Sequence, residues 1–303
     1  MKPHHLALAL LIMAIWGFTF ITARVGVTHF PPVFFTALRF GVVGIVLLPW
    51  LRIVPGRMRD ILLIAVCAGA LHFGLMYSGM ALTGSVSSVA VLVQLGAPFS
   101  ILLAVFWLKE SVDARRIAGI VLALLGVLLL GFDPAVFNYP LGAALVIGGA
   151  LIMSVAMILM RRLRGVGVFQ LQAWIAAVSA PQLLLASLLF EQGQLREFAD
   201  PTLIGLGAVA FTSLATSIVG HGGWYFLMQR YTIAQTAGFG LLPPVLAVAF
   251  GVILFNEPLT WKLIAAAILV TGGMAVITLR REPREKPATD QPAISAASIA
   301  AGE

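Results

Sequence analysis

The sequence predicts an all-α, polytopic transmembrane bundle of ten helices built from two inverted five-helix repeats. Three observations predict it. Ten apolar stretches of membrane-spanning length follow one another with turn signals between them. Lysine and arginine crowd into alternate connections, and one pattern of proline, glutamate and glycine returns after 147 residues.

Composition sets the class. The 303-residue chain is 60% hydrophobic and 10% charged, with a mean hydropathy of +1.03. A soluble domain carries about 25% charge. No water-soluble fold of this length hides so much apolar surface, so the lipid bilayer is its expected solvent. The net charge of +7 would suit nucleic acid, but the cations lie in short loops between apolar runs, which is a signature of topology. No nucleic-acid partner is expected. Cys67 is the one cysteine, which excludes an intrachain disulfide and a cysteine-based metal site. No cofactor or metal is expected.

A helix needs about 20 apolar residues to cross a hydrocarbon core of about 30 Å. The ten candidate spans are 5–23, 33–51, 61–80, 86–108, 114–131, 140–160, 168–190, 203–228, 235–255 and 261–279. The first is too long for a signal-peptide core and lacks a small-residue cleavage site, so it reads as an uncleaved span. Phe30-Pro31-Pro32, Pro55-Gly56, Thr83-Gly84, Asp133-Pro134, Gly165-Val166-Gly167, Asp200-Pro201 and Glu257-Pro258 punctuate the series. The short linkers predict antiparallel hairpins. Two repeats are expected at 1–132 and 138–280. The tail, 281–303, is rich in charge, Pro, Ala and Ser and is expected to be disordered and cytoplasmic.

With the N-terminus inside, fifteen of the nineteen Lys and Arg residues fall on the inner side and three, Arg24, Arg196 and Lys262, on the outer. That bias places both termini in the cytoplasm. Trp50, Trp107, Tyr139 and Trp261 fall at span ends, as an interfacial belt requires.

Residues 77–130 and 224–277 align at a shift of 147 with eight identities, among them Ala90/Ala237, Glu110/Glu257, Ala118/Ala265 and Gly126/Gly273. In both copies a proline-containing span ends at a Glu, and a Gly follows sixteen residues later. Five spans per half make the second copy enter the membrane from the opposite side. Inverted repeats supply two related shapes, one open to each face, with a site near midplane between the halves. The expectation is a secondary-active transporter working by alternating access; plain duplication without transport is the structural alternative. No phosphate-binding loop of the Gly-x4-Gly-Lys-Ser/Thr type appears, so ATP drive is not expected. The absence of His-Glu-x-x-His and Gly-x-Ser-x-Gly argues against a membrane enzyme, and the absence of a charge ring argues against a channel.

The candidate site residues follow from depth. Arg39 is the one strong charge inside a span, so it must face the protein interior or a wet cavity. It reads as a carboxylate anchor or gating partner, or else as a structural cation holding loop carbonyls. His72 and His221 lie in the third and eighth spans, which are repeat mates. All twelve acidic residues lie in loops, tails or span ends, so these histidines are the titratable groups left to couple protons. Their structural alternative is a neutral ring bonded to a neighbouring helix. Trp16, Thr19, Tyr77, Gln94, Ser154, Gln172, Trp224 and Tyr225 offer aromatic walls and hydrogen bonds at depth, either to a small polar substrate or as helix glue. Pro98, Pro243 and Pro244 are expected to kink the fourth and ninth spans as gates. Glu110 and Glu257 are expected to sit on the helix dipoles of the fifth and tenth spans. Gly119, Gly126, Gly272 and Gly273 permit close helix contact.

Ala14-Ile15-Trp16-Gly17-Phe18-Thr19-Phe20, Pro31-Pro32 with Leu38-Arg39-Phe40, Lys109-Glu110 and Asn256-Glu257-Pro258-Leu259-Thr260 with Gly272-Gly273 resemble the EamA type of the drug/metabolite transporter superfamily. Ala215-Thr216-Ser217-Ile218-Val219-Gly220, continuing to Arg230-Tyr231, is similar to bacterial exporters of cysteine and O-acetylserine. The resemblance covers the chain to about residue 280. It implies ten helices, cytoplasmic termini, a bacterial inner-membrane location and a cavity lined by both halves. It also implies export of amino acids or related small polar metabolites. Ala173-Trp174-Ile175 stands opposite Leu38-Arg39-Phe40, so Arg39 has no repeat mate. Substrate identity, the coupling ion and a homodimeric state stay open.

Overall fold

The computed structural model describes residues 2–109, 114–130, 132–163, 165–228, 230–231, 239–240 and 242–278. Glu110 and the tail 281–303 lie outside them, as does the side chain of Tyr225. Helices α1 (Pro3–His29), α2 (Pro32–Val46) and α3 (Met58–Thr83) are followed by α4, in two stretches (Val86–Val93, Gly96–Leu108). Next come α5 (Ala114–Leu130), α6 (Pro140–Arg162) and α7 (Val168–Phe190). Helix α8 runs through Leu203–Ala210, Phe211–His221 and Gly222–Met228, and α9 (Leu242–Phe255) and α10 (Trp261–Thr278) complete the series. Six of these are long and apolar enough to cross a membrane, and four further apolar helices are shorter.

Local chemistry sets the helix ends. Proline opens α1, α2 and α6, where a missing N–H costs nothing. The Ser85 hydroxyl accepts the Ser88 N–H at the start of α4, and Thr202 accepts the Gly205 N–H at the start of α8. Among the described residues, only Lys109 (φ 56°) and Asn256 (φ 51°) take a left-handed backbone without being glycine. They stand 147 residues apart and end α4 and α9.

The packing obeys the same interval. Helix α5 lies against α10, α2 against α7 and α4 against α9. The α3–α6 contact has its counterpart in α8–α1, and α4–α6 in α9–α1. Exchanging each helix for the one five places on therefore maps these contacts onto themselves. The α5–α10 seam shows it atom by atom. A Cβ on Gly126 would lie 3.0 Å from Ala266 O and 2.8 Å from a methyl of Val270, and one on Gly273 would lie 2.5 Å from Gly119 O and 2.8 Å from Ala123 N.

The bundle is apolar outside and mixed inside, as lipid solvation demands. Leu185, Leu189, Phe190, Ile204 and Ile268 are exposed, whereas Arg39, His72, Ser154, Ser179, Thr212 and Ser213 are buried. Trp50, Trp107, Tyr139 and Trp261 stand exposed near helix ends.

Two features escaped the sequence. Helices α3 and α8 each contain a stretch wound more widely than an α-helix, with i→i+5 spacing, at Val66–Leu71 and Phe211–His221. Pro181 sits inside α7.

Helix α4 does break, but at Gln94-Leu95, before Pro98. Pro98 has no N–H to give the Gln94 carbonyl, which accepts from Ala97 N at 3.2 Å instead. Pro243 and Pro244 fall in the first described turn of α9, and residues 232–238 and 241, just before it, lie outside the described ones.

Candidate functional site

Arg39, on the second turn of α2, is 1% exposed. Its Nη1 donates to the Tyr77 hydroxyl on α3 at 2.7 Å, and its Nη2 to Ser217 Oγ on α8 at 3.2 Å. The guanidinium lies 4.1 Å from the centroid of Phe73 and within 6 Å of the Phe40 and Tyr77 rings. Its Nε is buried without a partner. Every oxygen bonded to it is a neutral hydroxyl; among the described residues no carboxylate pairs with it.

The wide stretch of α8 is the hub. Ser213 Oγ donates to Arg39 O at 3.1 Å, and Ser217 Oγ to Thr212 O five residues back. Thr216, one residue before Ser217, shares a 2.7 Å hydrogen bond with Thr19 on α1. His221 Nδ1–H donates to Thr216 O at 2.9 Å, again five residues back. Widened winding brings side chains into reach of carbonyls that a regular helix would hold differently.

Aromatics extend this cluster along α1. The Trp16 ring centroid lies 5.4 Å from that of His221 and 5.7 Å from that of Trp224. Trp16 packs on Gly220, where a Cβ would come within 2.5 Å of Nε1, and that indole N–H is buried without a partner. Trp16, Thr19, His221 and Trp224 are all half-buried.

Of the residues singled out by depth, Arg39, Tyr77, Trp16, Thr19, His221 and Trp224 thus gather around α8. His72 stands apart in its bonding: Nδ1–H donates to Gly149 O on α6 at 2.9 Å, a helix-to-helix tie. Ser154 donates to Gly96 O at 2.8 Å, stitching α6 to the break in α4. Gln94 lies at that break and lines a separate cavity. Gln172 is half-buried on α7. Ser213, Thr216, Ser217 and Phe73 were missed as site residues. Their signal was the run of hydroxyls Thr212-Ser213, Thr216-Ser217 ahead of His221 in an apolar span.

Glu257 also departs from expectation. It does not cap α10, whose first turn is capped by Thr260 Oγ1 accepting from Leu263 N at 3.0 Å. Its carboxylate crosses to α4, accepting from Val86 N at 2.5 Å, Ser87 N at 3.0 Å and Ser85 Oγ at 3.3 Å. The left-handed turn at Asn256 swings it away from its own helix. Glu191 does the same for α2, accepting from Val33 N at 2.8 Å and Phe34 N at 2.9 Å.

The EamA-like transporter family model matches residues 5–132 and again 140–279. The chain belongs to the EamA-like transporter family. Among its relatives is a protein of Salmonella typhimurium named "Probable amino-acid metabolite efflux pump". It is 28% identical over 283 residues, spanning 89% of this chain and 93% of the relative. The Escherichia coli protein of that name is 24% identical, over 89% and 93%. An "Uncharacterized inner membrane transporter" of Escherichia coli is 26% identical, over 86% and 88%. A crystal structure at 21% identity shares the fold with a TM-score of 0.63, covering 92% of this chain and 98% of that one. This EamA-family chain is accordingly a multi-pass membrane transporter, and its relatives' names indicate transport rather than enzymatic chemistry.

Proposed function

We propose that this EamA-family chain is a secondary-active exporter of amino acids or related small polar metabolites. It works by alternating access between two inverted five-helix halves, 1–132 and 138–280. Both termini lie in the cytoplasm, following the lysine and arginine bias.

The observation that carries the reading is Arg39: a buried full charge that has, among the described residues, only neutral partners and no partner for its Nε. An intramembrane guanidinium without a protein carboxylate is matched by an anion that comes and goes. A substrate carboxylate is such an anion, and the names of the efflux relatives agree with it. Trp16, Thr19, His221 and Trp224 supply the neighbouring aromatic and hydroxyl groups. The repeat geometry supports the two-shape mechanism through the mated turns at Lys109 and Asn256, the self-mapping helix contacts and the reciprocal α5–α10 seam. Glu257, bound to the α4 N-terminus, ties the halves together on the outer face in this shape.

The test is transport of radiolabelled cysteine, O-acetylserine and a panel of other amino acids by membrane vesicles. Saturable flux of an unmodified solute is expected. Flux that never saturates, or chemical conversion of the solute, overturns the reading.

A further inference from the structure

A cavity of about 630 Å³ lies between the connection that follows α2 and the first turn of α7. Trp50 and Arg52 form one wall, and Val168, Phe169 and Gln170 the other. Its volume falls in the range of about 300–1,000 Å³ usual for small-molecule sites. The walls are tied to each other. Trp174 Nε1–H and Gln170 Nε2–H both donate to the Arg52 carbonyl, at 2.9 and 3.1 Å. The Trp50 and Phe169 rings meet with their centroids 5.6 Å apart. These contacts fix the backbone of Arg52 against α7 while the residue itself stays exposed.

Charge and position set the chemistry. The connections 47–57 and 163–167 both contain arginine, and neither contains an acidic residue. A ligand here therefore meets positive charge with nothing to offset it, which favours an anion. A zwitterion would bring its ammonium to a site that has no carboxylate for it. The flank of the cavity is apolar: Leu48 is 62% exposed and Ile53 74% exposed, one on each side of Trp50 and Arg52. At the end of a spanning helix, such side chains beside an exposed Trp lie at the border between hydrocarbon and headgroups. A soluble anion makes no use of that apolar flank. A phospholipid uses both, its phosphate at the border and its acyl chains below.

We infer that this cavity seats the headgroup of an anionic phospholipid. The phosphate accepts from the Arg52 guanidinium, and the first turn of α7, which no side chain caps, adds backbone N–H donors. The headgroup lies against the Trp50 and Phe169 rings, and the acyl chains run past Leu48 toward Ile45, which is exposed on α2. The inference stands independently of the exporter reading, because the cavity shares no residue with the Arg39 cluster.

The full-length protein in mild detergent is titrated with phosphatidylglycerol or with phosphatidylcholine, and native mass spectrometry counts the lipids it retains. Phosphatidylglycerol is expected to stay bound under conditions that strip phosphatidylcholine. Its affinity should fall about fivefold in Arg52→Gln, the scale of one arginine beside an anionic lipid. Should Arg52→Gln not fold, Arg52→Met replaces it. Arg59→Gln, on α3 and outside the cavity, should leave the affinity unchanged. Equal retention of the two lipids overturns the inference, and so does an affinity indifferent to the Arg52 substitution. An equal loss in Arg59→Gln also overturns it, since the arginines would then act as diffuse charge. Displacement of the lipid by millimolar glycerol phosphate does the same, because the occupant would then be a soluble phosphate.

Discussion

Arg39 donates to the Tyr77 hydroxyl over 2.7 Å, a bond joining α2 to α3 with a full charge on one side and a neutral phenol on the other. Both residues are essentially inaccessible. The phenol, the Ser217 hydroxyl and the Phe73 face hold the guanidinium in place without neutralising it. That combination suits a group waiting for an anion better than one locked into a structural ion pair.

Arg39→Ala should raise KM for a carboxylate substrate roughly 10- to 100-fold, the scale of a lost charge-assisted hydrogen bond. Arg39→Lys should recover only part of it, because the planar fork is gone. Vesicle transport kinetics decide the matter. An unchanged KM in folded Arg39→Ala protein would reduce the arginine to a structural role.

The two histidines should part company. His221 lies within the Trp16–Trp224 cluster, so His221→Gln should flatten the pH profile of transport. His72 is committed to Gly149 O, so His72→Gln should keep the profile and lower the melting temperature instead. Proton-driven flux measured at stepped pH separates them, and an intact profile in the double variant rules out histidine coupling.

Glu257→Gln replaces a carboxylate that accepts three hydrogen bonds from α4 with a neutral amide. Weakening charged hydrogen bonds by about 1.4 kcal/mol makes opening roughly tenfold easier. In a Cys67→Ser background carrying Ser87→Cys, an impermeant maleimide applied outside should label about that much faster. Equal labelling rates would mean that Glu257 does not hold the outer face shut.

Adjacent glycines of α10 offer an internal control. Gly273→Ala drives a methyl into the α5 backbone at Gly119 O and should cost about 1–3 kcal/mol through overpacking. At Gly272 a Cβ meets nothing nearer than Leu122 Cδ2, at 3.8 Å, so Gly272→Ala should be near neutral. Thermal unfolding in detergent compares the pair; equal melting temperatures would contradict the tight seam.

Depth and periodicity made much of this legible in advance. Apolar length marked where the helices run, and the 147-residue interval anticipated the mated turns at Lys109 and Asn256. Arg39, Trp16 and Thr19 could be picked because a polar group at membrane depth must have a reason. What could not be read was which partner each would find. Glu257 looked like the cap of the helix that follows it, and only the fold brings α4's first turn to its carboxylate. His72 and His221 looked equivalent by repeat, yet one bonds a neighbouring helix and the other its own. The Ser213–Ser217 hydroxyls stand in the sequence as a run, but their convergence depends on winding, which residue identity at period 3.6 does not encode.

That winding carries a consequence for sequence length. Each widened stretch in α3 and α8 accommodates surplus residues within otherwise regular helices. Deleting one residue from 211–220 could be absorbed by tightening to ordinary pitch, without unfolding the helix. Everything beyond it would then keep its facing, so Trp224 would still meet Trp16. The reach of Ser217 and His221 to carbonyls five residues back would be lost instead, so a shortened chain could populate the bilayer normally and still be mute.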